Sequence, residues 1–356
     1  MRCAIETVVE LPSHVAPNPL VGCVIVKDGK IIGRGSTHPP GGNHAEIEAL
    51  EDAARNGHDV KGATVYVTLE PCCHHGRTAP CTDALIRAGV SNVVAAMTDP
   101  DPRVSGEGFA RLMAAGIDVL SGVLESEARE LNLGFLSRVE RGRPWVRMKV
   151  AASLDGKTAL LNGQSQWITS EAARHDGHLW RARADAILTG MGTVRHDDPS
   201  LTVRAVDVPR QPRRVVVDSR LRIEPDAKVL SGGGTWIFCA VPKQQKVEEL
   251  LPTGAEIITM SDKNWAVDLP GMMQELGRRE INEVHVEAGA VLNGALLRDG
   301  CVDELLVYMA PSVIGEGRGM FSMMALESLG DIARFRFHDV TMVGPDLRIT
   351  ARIETT

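Results

Sequence analysis

The sequence predicts a chain of two α/β domains. Three observations carry that prediction. Apolar strands alternate with amphipathic helices along residues 1–140, a polar, turn-rich break follows at Arg141-Gly142-Arg143-Pro144, and the alternation then restarts. At 356 residues the chain exceeds what one ordinary hydrophobic core organises, so the domains are placed at 1–142 and 143–356. Residues of the AVILMFWYC class make up 44% and charged residues 24%, a globular composition that excludes a disordered chain.

In the first domain, residues 21–27 (VGCVIVK) form a nearly continuous apolar strand. Asp28-Gly29 is a hairpin signal leading to a second strand at 30–33. Residues 44–55 place Ile47, Leu50 and Ala54 on one helical face. A strand at 64–69 and a helix at 82–88 ended by Gly89 come next. Buried strands at 92–97 and 117–120, with a helix near 108–115 between them, precede one closing helix at 125–139. In the second domain, strands are predicted at 145–152, 186–189, 214–217, 235–240, 283–287 and 304–309, and helices at 171–183 and 290–297. Neither an internal repeat nor a low-complexity tract interrupts this order.

Charge narrows the function classes. A net charge of -7 and a pI near 5.9 argue against a broad basic face for nucleic acid, though a few arginines suffice to hold a phosphate locally. Only thirteen aromatic residues are present, too few for an extended base-stacking surface. The first residues, MRCAIETVVELPSHV, contain no long apolar core of a signal peptide, and no run of 18 uncharged apolar residues occurs. The expected compartment is the cytoplasm, with no membrane partner. Seven cysteines, three of them crowded at Cys72, Cys73 and Cys81, suggest a metal site more than a disulfide framework.

The strongest chemical signal is His44-Ala45-Glu46 at a helix start, followed by Pro71-Cys72 and Cys81. One imidazole and two thiolates are three tetrahedral zinc ligands, one short of a closed structural site. An open fourth position suits a catalytic zinc that holds water and lowers its pKa. Two thiolates weaken the ion as a Lewis acid, so a nearby base has to take the proton, and Glu46 is placed for that. Cys81 precedes a helix, whose dipole favours a thiolate. The order H-x-E…P-C-x-x-C is the signature of zinc nucleobase deaminases, here stretched to C-x8-C. A structural zinc site closed by Cys73, or three unrelated buried cysteines, are the plainer alternatives. Neither gives a reason for Glu46 beside His44.

The second domain speaks less clearly by itself. Gly190-Met191-Gly192-Thr193 follows a strand, and residues 283–287 run into Ala288-Gly289-Ala290 at a helix start, where free N–H groups could hold phosphate. The pattern is not G-x-G-x-x-G, so a dinucleotide fold of that type is unsupported. A nucleotide site and simple turns both fit these glycines. His175, His178 and His196 read as surface groups, having no well-spaced partner.

At this point the chain resembles a known family. HAEIEAL, VTLEPCCHHGRTAPC, NPLVGCVIVKDG and Asp99-Pro100-Asp101-Pro102 look like the deaminase half of the bifunctional riboflavin-biosynthesis deaminase–reductases. KVAASLDGKTA, SQWITS, GTVRHDDPSLTVR, VEAGAVLNGALL and VDELLVYMAP are similar to their reductase half. The resemblance runs to the C-terminus and starts inside what looks like the family's first helix. It implies an N-terminal cytidine-deaminase-like α/β/α sandwich and a C-terminal dihydrofolate-reductase-like α/β domain. It also implies one Zn2+ per chain, NADPH, small phosphoribosylated pyrimidine substrates, and room for a homo-oligomer.

The implied reactions are two. The first is hydrolytic deamination of 2,5-diamino-6-(5-phosphoribosylamino)pyrimidin-4(3H)-one. The second is NADPH-dependent reduction of the ribosyl group of 5-amino-6-(5-phosphoribosylamino)uracil to ribityl. By the same resemblance His44, Cys72 and Cys81 bind zinc and Glu46 moves protons, while Asn18, His38, His74 and Arg77 contact the first substrate. Ala151, Trp167, Thr193, Asp197, Ser219 and the run Gly289, Ala290, Val291, Leu292, Asn293, Gly294, Ala295 contact NADPH. Lys149, Ser165, Arg181, Leu201, Arg204 and Glu287 hold the second substrate. Lys149, Asp197 and Glu287 are the ionisable candidates for supplying the proton that accompanies hydride. Rival readings are a deaminase of another base carrying an unrelated partner domain, a non-catalytic zinc-stabilised binding protein, and a chain with one inactive half.

Overall fold

The computed structural model describes residues 1–10, 15–75, 79–102 and 104–354. It divides into two compact units, Met1–Gly142 and Arg143–Thr356.

The first unit runs α1 (Arg2–Glu10), β1 (Gly22–Lys27), β2 (Lys30–Ser36), α2 (Ala45–Arg55), β3 (Thr64–Val67) and α3 (Cys81–Ala88). It continues through β4 (Asn92–Ala95), α4 (Glu107–Ala114), β5 (Asp118–Leu120), α5 (Glu125–Leu131) and α6 (Leu133–Arg141). Among the described residues its strands form one sheet in the order β2-β1-β3-β4-β5. β1 is antiparallel to β2 and β3, whereas β3, β4 and β5 are parallel. Asp28 and Gly29 join β1 to β2 with φ of 50° and 74°, the two left-handed positions a tight hairpin requires. Ile25, Val65, Leu85, Met97 and Leu112 fill the core.

Glycines in β2 set the height of α2. A Cβ on Gly35 would stand 2.3 Å from the carbonyl oxygen of Ala45, and one on Gly33 2.3 Å from that of Ala49. Only bare backbone lets the helix lie this close, and the start of that helix carries His44.

Two expectations are corrected here. The single helix predicted over 125–139 is α5 and α6, divided at Asn132. Its side-chain Oδ1 accepts from Leu20 N and its Nδ2 donates to Leu20 O, both at 2.8 Å, and its backbone leaves helical geometry at φ -122°. The strand expected to be buried at 117–120 is the exposed edge β5, with Leu120 58% exposed.

The second unit begins β6 (Trp145–Ser153), β7 (Lys157–Leu160), α7 (Glu171–Arg183), β8 (Ala186–Gly190), α8 (Met191–Asp197) and β9 (Arg213–Val217). Next come β10 (Trp236–Cys239), α9 (Gln244–Leu250), β11 (Glu256–Thr259), α10 (Leu269–Arg278), β12 (Glu283–Val286) and α11 (Ala290–Arg298). It closes with β13 (Glu304–Ala310), β14 (Gly317–Gly319), β15 (Phe335–Val343) and β16 (Asp346–Ile353). Among the described residues the main sheet has the order β11-β10-β9-β8-β12-β6-β13-β16-β15. Its members from β11 to β13 are parallel, and β16 and β15 add an antiparallel hairpin. Ser170 caps α7, its Oγ accepting from Ala173 N at 3.3 Å, and Trp180 of this helix packs with Leu306 and Tyr308 of β13. No helix among the described residues is long and apolar enough to cross a membrane.

Candidate active sites

The first site is assembled where α2 and α3 begin. His44 is the N-cap of α2, Glu46 lies in its first turn, Cys81 opens α3, and Cys72 follows β3. The Sγ atoms of Cys72 and Cys81 lie 3.5 and 3.3 Å from His44 Nδ1. The three donor atoms all fall within 4.8 Å of one another. Cys81 N–H donates to Cys72 Sγ at 3.3 Å, so the first turn of α3 stabilises negative charge on that sulfur. Cys73 is outside this group.

Electrostatics follow from crowding. The hydrogen bond from Cys81 holds the Cys72 thiol down at about 4, with the bond to His44 adding to the effect against burial. Cys81, bonded to that thiolate and buried, is pushed far up. Glu46 is buried, and burial, helped by the negative Cys72, pushes its carboxyl up to about 7. A borderline nitrogen and two sulfurs converging on one point are the donor set of zinc, and the chemistry of these residues fits that ion. A carboxyl at this value can both take and give a proton near neutrality.

The other predicted contacts of this half are dispersed around it. Asn18 lies in a turn, its N–H donating to Val15 O at 2.9 Å. His38 Nε2 is 3.7 Å from Glu48 Oε2 on the flank of α2. His74 keeps a buried Nδ1 with no hydrogen-bond partner, a polar atom available to a ligand. Arg77 lies outside the described residues.

A residue that sequence reasoning missed braces this site. Glu70 is buried two positions before Cys72 and accepts the N–H groups of Asp99, Gly106, Gly108 and Phe109 at 2.9–3.2 Å. Its place within LEPCC was visible, but its partners lie about thirty to forty residues on and leave no spacing signal.

In the second unit, the starts of α8 and α11 meet. A Cβ on Gly190 would stand 3.0 Å from Leu292, and one on Gly289 3.9 Å from Thr193 Oγ1. Gly289 is the N-cap of α11, so the free N–H groups of that helix open between these turns and suit a phosphate-bearing cofactor. Ala290, Val291 and Leu292 form its first turn. Asn293 is buried with Oδ1 unpartnered, and Gly294 packs against Ser322, where a Cβ would come within 2.1 Å of the carbonyl oxygen. Ala295 is half-buried and Ala151 lies half-buried on β6. Trp167, 69% exposed, stacks beneath the Arg174 guanidinium at 4.4 Å. Asp197 is exposed at the end of α8, and Ser219 Oγ accepts from Val267 N at 3.2 Å.

The predicted substrate residues of this unit behave differently from one another. Arg181 pairs with Glu287 through two hydrogen bonds, Nη2 to Oε2 at 2.7 Å and Nε to Oε1, and its Nη1 donates to Thr202 O at 3.1 Å. Burial alone would raise the Glu287 carboxyl, but Arg181, His285 and Lys149 together hold it well below the carboxylate range. Burial lowers the Lys149 ammonium, with Arg181 adding to this and Glu287 opposing it. Arg204 is exposed, and its N–H donates to His178 Nδ1 at 3.3 Å. Burial and the two arginines push His178 down to about 4, so it is neutral at pH 7. Ser165 is half-buried ahead of α7. Leu201 is only 3% exposed and packs with Ile187 and Val194, so its side chain serves the core.

A buried ionic row underlies this site and was also missed. Arg147 Nη1 donates to Glu283 Oε2 at 2.9 Å and Nε to Glu304 Oε1 at 2.5 Å, with the guanidinium 4.4 Å over Trp180. Glu283, His285 and Glu287 alternate with Val284 and Val286, a period-two polar face that sequence alone displays.

The fold and the three-donor centre beside a carboxyl define the class: a zinc-type deaminase domain joined to a second, α/β catalytic domain. Two family models divide the chain the same way. The cytidine and deoxycytidylate deaminase zinc-binding region matches residues 1–97, and the RibD C-terminal domain matches residues 144–349. Riboflavin biosynthesis protein RibD of Escherichia coli (strain K12) is 47% identical over 345 residues, covering 93% of this chain and 92% of that protein. RibD of Bacillus amyloliquefaciens is 41% identical over 356 residues, covering 99% and 95%. Among solved structures, Acinetobacter baumannii RibD (form 1) superimposes with a TM-score of 0.91 at 40% identity, covering 99% of this chain and 98% of that one. The diaminohydroxyphosphoribosylaminopyrimidine deaminase/5-amino-6-(5-phosphoribosylamino)uracil reductase of Thermotoga maritima gives 0.88 at 35% identity, covering 99% and 97%. The chain belongs to the RibD family of riboflavin-biosynthesis proteins, enzymes that are both hydrolytic deaminases and reductases.

Proposed function

We propose that residues 1–142 deaminate the diaminopyrimidine phosphoriboside and residues 143–356 reduce the ribosyl group of the deaminated product. The observation that carries this reading is the convergence of His44, Cys72 and Cys81 within 4.8 Å beside the buried Glu46. His44, Cys72 and Cys81 hold zinc, which supplies Lewis acidity that makes water nucleophilic near neutral pH. Glu46 takes a proton from the attacking water, passes it to a ring nitrogen, and delivers a proton to the departing ammonia. The water oxygen becomes the new ring carbonyl. His74, with its unpartnered Nδ1, joins Asn18, His38 and Arg77 in binding the substrate.

In the second half the turns at Gly190–Thr193 and Gly289–Leu292 hold NADPH, which supplies hydride to the sugar C1′. Arg204 brings positive charge to the substrate phosphate, and Arg181, its fork engaged by Glu287, holds that carboxylate toward the substrate. Lys149 gives the ring oxygen its proton as the sugar opens. Its ammonium is lowered by burial, whereas Glu287 is held ionised and Asp197 is exposed on α8. None of the seven cysteines is in a disulfide, which supports a reducing, cytoplasmic location.

One incubation tests the reading: the diaminopyrimidine phosphoriboside with zinc and NADPH, following ammonia release and NADPH absorbance separately. Ammonia release first and NADPH loss second are expected. NADPH loss without ammonia, or neither, contradicts the assignment.

A further inference from the structure

His285 sits at the centre of β12, paired in register with Arg147 of β6 and Ile187 of β8. It is 0% exposed, Nδ1 meets no hydrogen-bond partner, and Nε2 forms no well-aligned hydrogen bond. Burying an imidazole this way is unfavourable compared with an apolar residue of similar volume. One contact sets the ring apart: Nε2 lies 3.3 Å from Glu287 Oε1. Residues two apart on a strand share a face, so the imidazole lies directly beneath the carboxylate.

The charged groups around it are Arg147 and Lys149 on β6, Glu283 and Glu287 on its own strand's line, Glu304 on β13 and Arg181 on α7. Burial together with the two β6 cations keeps the ring neutral despite Glu287. A neutral imidazole facing a carboxylate presents its N–H to it, which fixes the Nε2–H tautomer. Arg181 Nε already donates to the same Oε1, and Arg181 Nη2 donates to Oε2. Each carboxylate oxygen accepts about two hydrogen bonds. Oε1 is thereby approached by both Arg181 and His285, whereas Oε2 takes its one hydrogen bond from Arg181 and is the less crowded oxygen.

We propose that His285 is a positioning residue for the reductase reaction, holding Glu287 so that Oε2 is the atom that receives a hydroxyl of the ribosyl substrate. The inference rests on the reading of Glu287 as a substrate contact. It concerns a group that never touches substrate itself.

Two polar substitutions separate this role from mere packing. Glutamine places its amide N–H near the position of Nε2, whereas asparagine places it near Nδ1 and cannot reach Oε1. In full-length protein with the deaminated pyrimidine as substrate, His285→Asn is expected to raise the reductase KM roughly tenfold, as expected for loss of one bond to a charged group, with kcat little changed. His285→Gln is expected to restore most of that loss. NADPH binding, read by fluorescence, and the thermal midpoint check that both variants are folded, and His285→Leu adds an apolar variant with the KM of His285→Asn. Equal KM values for His285→Asn, His285→Gln and wild type overturn the proposal. Glu287→Gln run alongside identifies which claim failed: if it raises KM while the His285 variants do not, only the role of His285 falls, and if it leaves KM unchanged, the reading of Glu287 falls with it.

Discussion

Arg181 and Glu287 are locked together across 106 residues of sequence, with Nη2 donating to Oε2 at 2.7 Å and Nε donating to Oε1. Both residues had been expected to meet substrate separately, and the structure makes them one unit. A guanidinium fork satisfies a carboxylate at two points, which an ammonium cannot do. Arg181→Lys therefore keeps the charge and loses the fork. Reductase kcat/KM is expected to fall by roughly tenfold or more, with ammonia release from the first substrate unchanged. Steady-state kinetics of the two half-reactions provide the check, and an unaltered reductase would show that the fork is dispensable.

Metal removal separates the halves. Chelation is expected to abolish ammonia release while leaving NADPH-dependent reduction of the already deaminated pyrimidine intact. Cys81→Ser is expected to lose the ion, and Cys73→Ser to keep one zinc per chain, because Cys73 stands outside the three donors. Metal content measured by plasma emission on each variant decides this.

Asp185 gives the second unit a pH dependence of its own. Its Oδ2 accepts the N–H groups of Asn282 and Glu283 at 2.9 and 3.0 Å, and Oδ1 accepts from Arg210, yet burial pushes the carboxyl up to about 6. Folding thus favours the protonated form relative to the unfolded chain, where an aspartate titrates near 4. The stability this gives is fully present below about pH 4 and is lost as pH rises through about 6. Asp185→Asn removes that term. The stability of wild type relative to the variant should fall by on the order of 2–3 kcal/mol from pH 4 to pH 7, measured by urea unfolding. A difference that stays flat over this window would refute the assignment.

Local patterns made much of the fold and the first site readable. Asp28-Gly29 gave the hairpin, Gly89 ended α3 with φ 67°, and the spacing of His44, Glu46, Cys72 and Cys81 specified one kind of metal chemistry. The losses have physical causes. Asn132 divides a helix because its amide answers the backbone of Leu20, 112 residues away, and no window of sequence contains both. The β15–β16 hairpin went unread because β15 exposes Phe337, Val340 and Met342, which blurs the apolar alternation that marks a strand. The polar alternation of Glu283, His285 and Glu287 was present in the sequence and lacked only its partner Arg147, which a neighbouring strand supplies.

On the proposed mechanism Glu46 moves protons at a centre held by His44, Cys72 and Cys81. Glutamine has nearly the same shape as glutamate and cannot accept a proton. The direct measurement is ammonia release by purified Glu46→Gln, together with its zinc content and its reduction of the deaminated pyrimidine. One zinc per chain, normal NADPH oxidation and ammonia release lower by roughly 10³-fold are expected. Ammonia release at the wild-type rate with zinc still bound would contradict that mechanism.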